Sequence, residues 1–153
     1  MPAPRPCATL DTCGMTTPHF DSVRDIPLLT DHDIVERLDT MLAGAVRRQG
    51  WLMFLDDDAR QLPVLMPSAL PPRPRKTDSK VLASLIGALA EDIDAEAVVV
   101  TYERRGATDL TNADKVWLRS LRDACIASSV SFRGPFLCHN EGVSQVAPDD
   151  YLS

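Results

Sequence analysis

The sequence is short of the residues that usually announce chemistry. Its three histidines stand far apart, at positions 19, 32 and 139, and its four cysteines, Cys7, Cys13, Cys125 and Cys138, form no CxxC pair. A zinc site draws its ligands from such residues at short, regular spacings. Cys7, Cys13 and His19 match no zinc pattern and lack a fourth ligand, and the cysteines read as free thiols of a cytoplasmic chain. There is no Gly-rich phosphate cradle, and no GxSxG elbow surrounds Ser128, Ser129 or Ser131. No cofactor or metal is therefore expected. No apolar run approaches the ~20 residues of a membrane-spanning helix. The first residues, MPAPRPCATLDTCG, contain no apolar core of the kind an export signal needs. Lysine is scarce as well: of the 16 basic residues only Lys76, Lys80 and Lys115 are Lys. That bias, with abundant Ala, Asp and Pro, is the mark of a high-GC bacterial genome and says nothing about function.

What is present is an ordinary globular composition, 44% apolar and 25% charged over 153 residues. That length suits one domain and a core large enough to fold without disulfide or metal. The net charge of −6 argues against nucleic acid as the main partner, because phosphate binding needs a basic face.

Residues 1–27, rich in proline and without periodicity, read as a disordered or loosely packed tail, and 28–153 as a single α/β domain. Thr30 or Asp31 is suited to cap a first helix, whose stripe is Ile34, Leu38, Met41, Leu42, Ala45 and Val46. Arg47 and Arg48 fall in its expected last turn, with Gly50 ending it. His32, near its exposed start, reads as solvated. Trp51 to Leu55 is a short apolar strand, Asp56-Asp57-Asp58-Ala59-Arg60 a turn, and Gln61 to Met66 the return strand, which Pro63 confines to an edge or a bulge. The aspartate triplet is not a calcium loop, since Gln61 and Pro67 stand where Gly and Glu are required. Residues 67–77, PSALPPRPRKT, form a Pro-rich connector, either a stiff loop or an exposed docking segment.

Asp78 or Ser79 is suited to cap a second helix, with Val81, Leu82, Leu85, Ile86 and Leu89 on its apolar face. Ala97 to Thr101 is a β-branched strand expected in the middle of the sheet, parallel to a neighbour. A polar loop, 102–110, follows it. Thr111 and Asp114 then form a capping box for a helix that buries Val116, Trp117, Leu121, Ala124 and Cys125. Val130 to His139 is a strand interrupted by Gly134-Pro135, Asn140-Glu141-Gly142 a tight turn, and Val143 to Val146 a last strand. Ala147 to Leu152 packs one end with Tyr151. The expectation is an α/β fold, a mixed sheet of about five strands flanked by helices on both faces.

In such folds ligands gather at the carboxyl ends of strands, and the stretch that fills this place is AVVVTYERRGATDLTNADKVWL. Element order and local pattern resemble the RadC branch of the JAMM (JAB/MPN) fold, whose architecture is related to that of the cytidine deaminases. The hairpin WLMFLDDDARQLPVL is similar to the strand–turn–strand preceding that family's motif, and the helix before Ala97 to the one that feeds it. The resemblance covers about residues 31–153. It implies metal-binding histidines at about Tyr102 and Arg104, a serine and an aspartate at Thr111 and Asp114, and a general acid–base Glu where this chain has Arg47, Arg48 and Gln49. Both histidines and the glutamate are missing. One ligand of three cannot hold a catalytic zinc.

Two readings remain. The first is a non-catalytic binding or regulatory domain that works through protein contacts, a homodimer among them. Its binding residues are Tyr102, Arg104, Arg105 and Thr111, with the connector and the tail as further contact surfaces. The second is a hydrolase or an anion- or nucleotide-binding enzyme in the strand-end crevice, with Glu103, Asp114 and His139 as candidate catalytic residues. Arg104, Arg105 and the helix start at Thr111 could hold an anion there. Glu103 beside Arg104 and Arg105 reads as part of surface ion pairs. Cys138 and His139, adjacent on a strand, point to opposite faces and make no dyad.

Overall fold

A computed structural model of the chain describes residues 25–42, 44–75 and 77–152. Cys7, Cys13 and His19 lie outside these residues. Strands β1 (Gln49–Leu55), β2 (Gln61–Ala69), β3 (Ala97–Glu103), β4 (Ser131–His139) and β5 (Gly142–Gln145) form one open sheet in the order β2-β1-β3-β4-β5. Helices α1 (Asp31–Leu42), α2 (Asp78–Asp92), α3 (Asn112–Ala127) and the short α4 (Pro148–Leu152) complete the fold.

Strand β1 is antiparallel to both β2 and β3. Strands β2 and β3 therefore run the same way, and α2 crosses over β1 to join them. A second crossover, through α3, joins β3 to its parallel neighbour β4. The alternation of side chains along each strand divides the core in two. Leu52, Phe54, Val98, Val100, Tyr102 and Leu137 pack against α2 and α3. Met53, Leu55, Val99, Phe136, Cys138 and Val143 pack against Ile34 and Leu38 of α1. The mixed five-stranded sheet with helices on both faces is thus present. Among the described residues, no helix is long and apolar enough to cross a membrane.

Local chemistry explains several boundaries. Thr30 and Asp33 exchange side-chain-to-backbone hydrogen bonds of 3.1 Å each at the start of α1. Thr111 and Asp114 do the same at α3, as their spacing predicts. In the β1–β2 turn Asp56 Oδ1 accepts from the amides of Asp58 and Arg60, so the triplet is a side-chain-braced turn. Pro63 lies on an edge strand beside a register shift.

Other boundaries differ from the periodicity. Helix α1 stops at Leu42 and does not continue through Val46 to Arg48. Gly44, at φ +125°, turns the chain there, and Gly50 lies inside β1. The backbone after Gly44 is drawn to distant acceptors: Ala45 N–H donates to the His139 carbonyl at 3.0 Å, and the next two amides donate to Glu103. Strand β2 extends through Pro67 to Ala69, taking three residues from the expected connector. The residue flanking α2 is Thr77, and the Asp78 carboxylate accepts instead from the amide of Arg75 at 2.7 Å. Strand β3 runs past the expected end at Thr101 to include Tyr102 and Glu103. Val116 is exposed on α3, and Leu118 takes its expected place in the core.

Strand β5 is an open edge that α1 covers. Asp39 Oδ1 accepts from Val143 N–H at 3.1 Å, and Gly142, at φ +138°, leaves no room for a Cβ beside that carboxylate. Gly142→Ala combines left-handed strain with displacement of this cap. It is expected to destabilise the fold by about 2–3 kcal/mol in urea denaturation, whereas Gly50→Ala, whose Cβ would meet only ordinary contacts, falls well short of that.

Candidate functional site

Two buried carboxylates meet at the end of β3, Glu103 from the strand itself and Asp114 from the first turn of α3, one on each face of the sheet. Glu103 is 2% exposed and points to the α1 face. Its Oε2 accepts from the amides of Val46 at 2.7 Å and Arg47 at 3.1 Å. Its Oε1 accepts from Gln49 Nε2 at 3.0 Å and Trp51 Nε1 at 2.7 Å. The register places Gln49 directly opposite Glu103, which is why one short segment supplies all four donors. Burial alone would push this carboxyl up. The hydrogen bonds from Trp51, Val46, Arg47 and Gln49 outweigh that and hold it below the ordinary glutamate value.

Asp114, equally buried at 2%, lies on the α3 face. Its Oδ2 accepts from Arg104 Nε at 3.0 Å and from the Thr111 amide at 2.9 Å, with a second Arg104 nitrogen also at 3.0 Å. Its Oδ1 accepts from the Tyr102 hydroxyl at 3.2 Å. Here too burial raises the carboxyl, while Arg104 above all, then Thr111 and Tyr102, draw it below the ordinary aspartate value. Arg104 spends its remaining donors on the loop, reaching the carbonyls of Ala107 at 2.6 Å and Asp109 at 3.0 Å. Tyr102 is buried, and its hydroxyl also accepts from Arg48 Nε at 3.3 Å. Burial pushes this phenol up.

These contacts correct several expectations. Glu103 is in no surface ion pair; its partners are amides and an indole. Tyr102 and Arg104 are not available as a contact surface, because both are buried and partnered. The expected anion site at Thr111 is already filled by Asp114. Of the proposed binding residues, Thr111 and Arg105 are exposed, and Arg105 donates to the Val46 carbonyl at 2.8 Å. Glu103 and Asp114 sit on opposite sheet faces and do not form an acid–base pair.

His139, 7% exposed, lies on the same face as Leu137. Its Nδ1 accepts from the Glu141 amide at 3.3 Å, which leaves the ring proton on Nε2, facing Ser144 Oγ at 2.9 Å. A base that activates a hydroxyl needs the opposite tautomer. Ser144 borders a cleft of about 200 Å³ between Thr108, Leu110, Leu137 and Asp150. A neighbouring cleft of about 410 Å³ adds Asp109 and Lys115. The three residues singled out as candidate catalysts line neither. Cys138 is buried against the α1 cluster. Burial, with the charge of Glu103 next, pushes its thiol up to about 11, and burial alone takes Cys125 up to about 12. Neither is a nucleophile at neutral pH.

Gln49, Trp51 and the amides of Val46 and Arg47 are the site's unanticipated members. Their one signal was that a lone glutamate at a buried strand end demands donors. Among the described residues, Asp56, Asp57 and Asp58 form a carboxylate cluster within 4.8 Å, at the opposite end of β1 from Glu103. A scan against protein-family models finds no match, and a search of the curated proteins finds no relative.

Removing Asp114 strands the Arg104 charge. Asp114→Ala is expected to cost about 3–5 kcal/mol by urea denaturation, against about 1 kcal/mol for Thr111→Ala, which loses only the cap. Equal costs would reduce Asp114 to a capping residue. Both carboxylates bind protons less readily in the folded chain than at the ordinary values of 4.5 and 3.8. Their contribution to stability is therefore complete above about pH 4.5 and disappears as pH falls through the lower native values. The stability of Glu103→Gln should fall less steeply than wild type below about pH 4.5, measured as chemical denaturation midpoints across that range.

Proposed function

We propose that this chain is a non-catalytic binding or regulatory domain of a bacterial cytoplasm, acting through protein contacts on a JAMM/RadC-like scaffold without metal chemistry. The observation that carries the reading is the mutual pairing of Tyr102, Arg104 and Asp114. These are the positions at which the resemblance implies metal ligands. A guanidinium, permanently charged, stands there and neutralises the aspartate from within. The donor set does not fit a divalent cation, since Asp114 is already paired with the Arg104 guanidinium, the Thr111 amide and the Tyr102 hydroxyl, and a fixed positive charge stands where a ligand would be needed.

A second reading, a hydrolase or an anion- or nucleotide-binding enzyme, has one observation in its favour: the cleft beside Ser144, with His139 behind it. It is the weaker, because the His139 proton faces the serine and Asp114 already satisfies the Thr111 amide.

Elemental analysis of protein purified without chelators tests the proposal. The expected result is zinc, manganese and iron well below one per chain, and no rise in melting temperature on adding zinc. Stoichiometric zinc in the wild type, lost in Asp114→Asn, would sink it.

A further inference from the structure

Loop 44–48 presents a surface that the buried glutamate holds in place. Glu103 takes the amides of Val46 and Arg47, and Arg105 takes the Val46 carbonyl from the neighbouring loop. Asn140 ties that second loop down through mutual bonds with Gly106, each 3.0 Å. The Val46 backbone is thus fully engaged while the residue is 58% exposed. Arg47 and Arg105, both exposed, stand beside it, and Arg48 is anchored on the Tyr102 hydroxyl. Among the described residues, none of these three arginines has a carboxylate within ion-pair distance, whereas Arg60, Arg75, Arg104, Arg122 and Arg133 all do. Two exposed arginines without a carboxylate partner, Arg47 and Arg105, thus stand beside an exposed aliphatic side chain.

We propose that Val46, Arg47 and Arg105 form a docking surface for an acidic peptide segment of a partner protein, an aliphatic residue flanked by carboxylates. This rests on the reading of the chain as a protein-contact domain and supplies the chemistry of the partner. Arginine is the residue most suited to such a surface, since its fork pairs carboxylates bidentately and it is enriched at interface centres. The rigid backbone lowers the ordering cost of association. A duplex of phosphates fits poorly, because it needs a broad basic face to neutralise many phosphates, and this is a chain of net charge −6.

The test is selection from a random dodecapeptide library on the full chain, followed by fluorescence anisotropy with the enriched peptides and with a random-sequence DNA duplex. Enriched peptides should carry Asp or Glu around an aliphatic residue, bind at least tenfold more weakly to Arg47→Glu, and weaken again in Arg47→Glu/Arg105→Glu. Binding should also fall as salt is raised from about 50 to 300 mM. Arg47 makes no side-chain hydrogen bond in the described structure, so Arg47→Glu alone keeps the test sound if the double variant folds poorly. No enrichment, neutral or basic peptides, binding indifferent to Arg47→Glu, or tighter binding of the duplex overturns the docking surface. Indifference to the variants leaves the protein-contact reading standing, while stoichiometric zinc in the same preparation removes that reading independently.

Discussion

The fold is organised around a carboxylate that is costly to bury. An ionised side chain taken out of water loses several kcal/mol of solvation unless every acceptor position is filled. Glu103 meets that condition with four donors from Val46, Arg47, Gln49 and Trp51. The cost of leaving any one of them unmade is what fixes the path between α1 and β1. Helix α1 ends where it does because the amides beyond Gly44 have a stronger acceptor than their own helical carbonyls: a charged one, buried, in low dielectric. The turn at Gly44, the start of β1 at Gln49 and the position of loop 44–48 all follow from one residue on the opposite strand.

Asp114 repeats the device on the other face with a different donor set. There the neutralising charge comes from Arg104, one residue after Glu103. Two consecutive residues at the end of the central strand therefore belong to two buried networks, one per face. This alternation makes the strand end rigid, and it also separates the only two buried carboxylates among the described residues. A catalytic pair needs two groups converging on one space, and here Glu103 of β3 and Asp114 of α3 lie on opposite faces of the sheet. The site that position in the fold leads one to expect is occupied by the protein's own side chains.

Much of the architecture was legible from pattern. The order of helices and strands, the edge position of β2 around Pro63 and the capping box at Thr111 and Asp114 depend on local chemistry or on periodicity, both of which are written along the chain. Three of the differences share one cause. The end of α1, the extension of β3 through Tyr102 and Glu103 and the burial of Arg104 are decided by partners 10 to 57 residues away, and polar residues at a strand end look like loop until those partners are known. A run such as Tyr-Glu-Arg-Arg reads as surface because charge is normally exposed. Three of its four residues are buried, and nothing local distinguishes them from the fourth, Arg105.

That fourth residue connects the structural argument to the functional one. Because Glu103 and Arg104 are consumed inside, their charges offer nothing to a ligand. Their effect outside is to hold the two loops, 44–48 and 105–110, in a fixed relation. Arg105 closes that relation by reaching from one loop to the carbonyl of Val46 in the other. A surface built this way has its backbone groups already paired, so an incoming chain would meet side chains alone: one aliphatic residue and the arginine charges around it. Burying Val46 on a partner would remove water from around those guanidinium groups and strengthen whatever they pair with. The apolar contact and the charge contacts therefore reinforce one another only if a single segment supplies both, which is the physical reason for expecting an acidic peptide with an aliphatic centre at this end of the sheet.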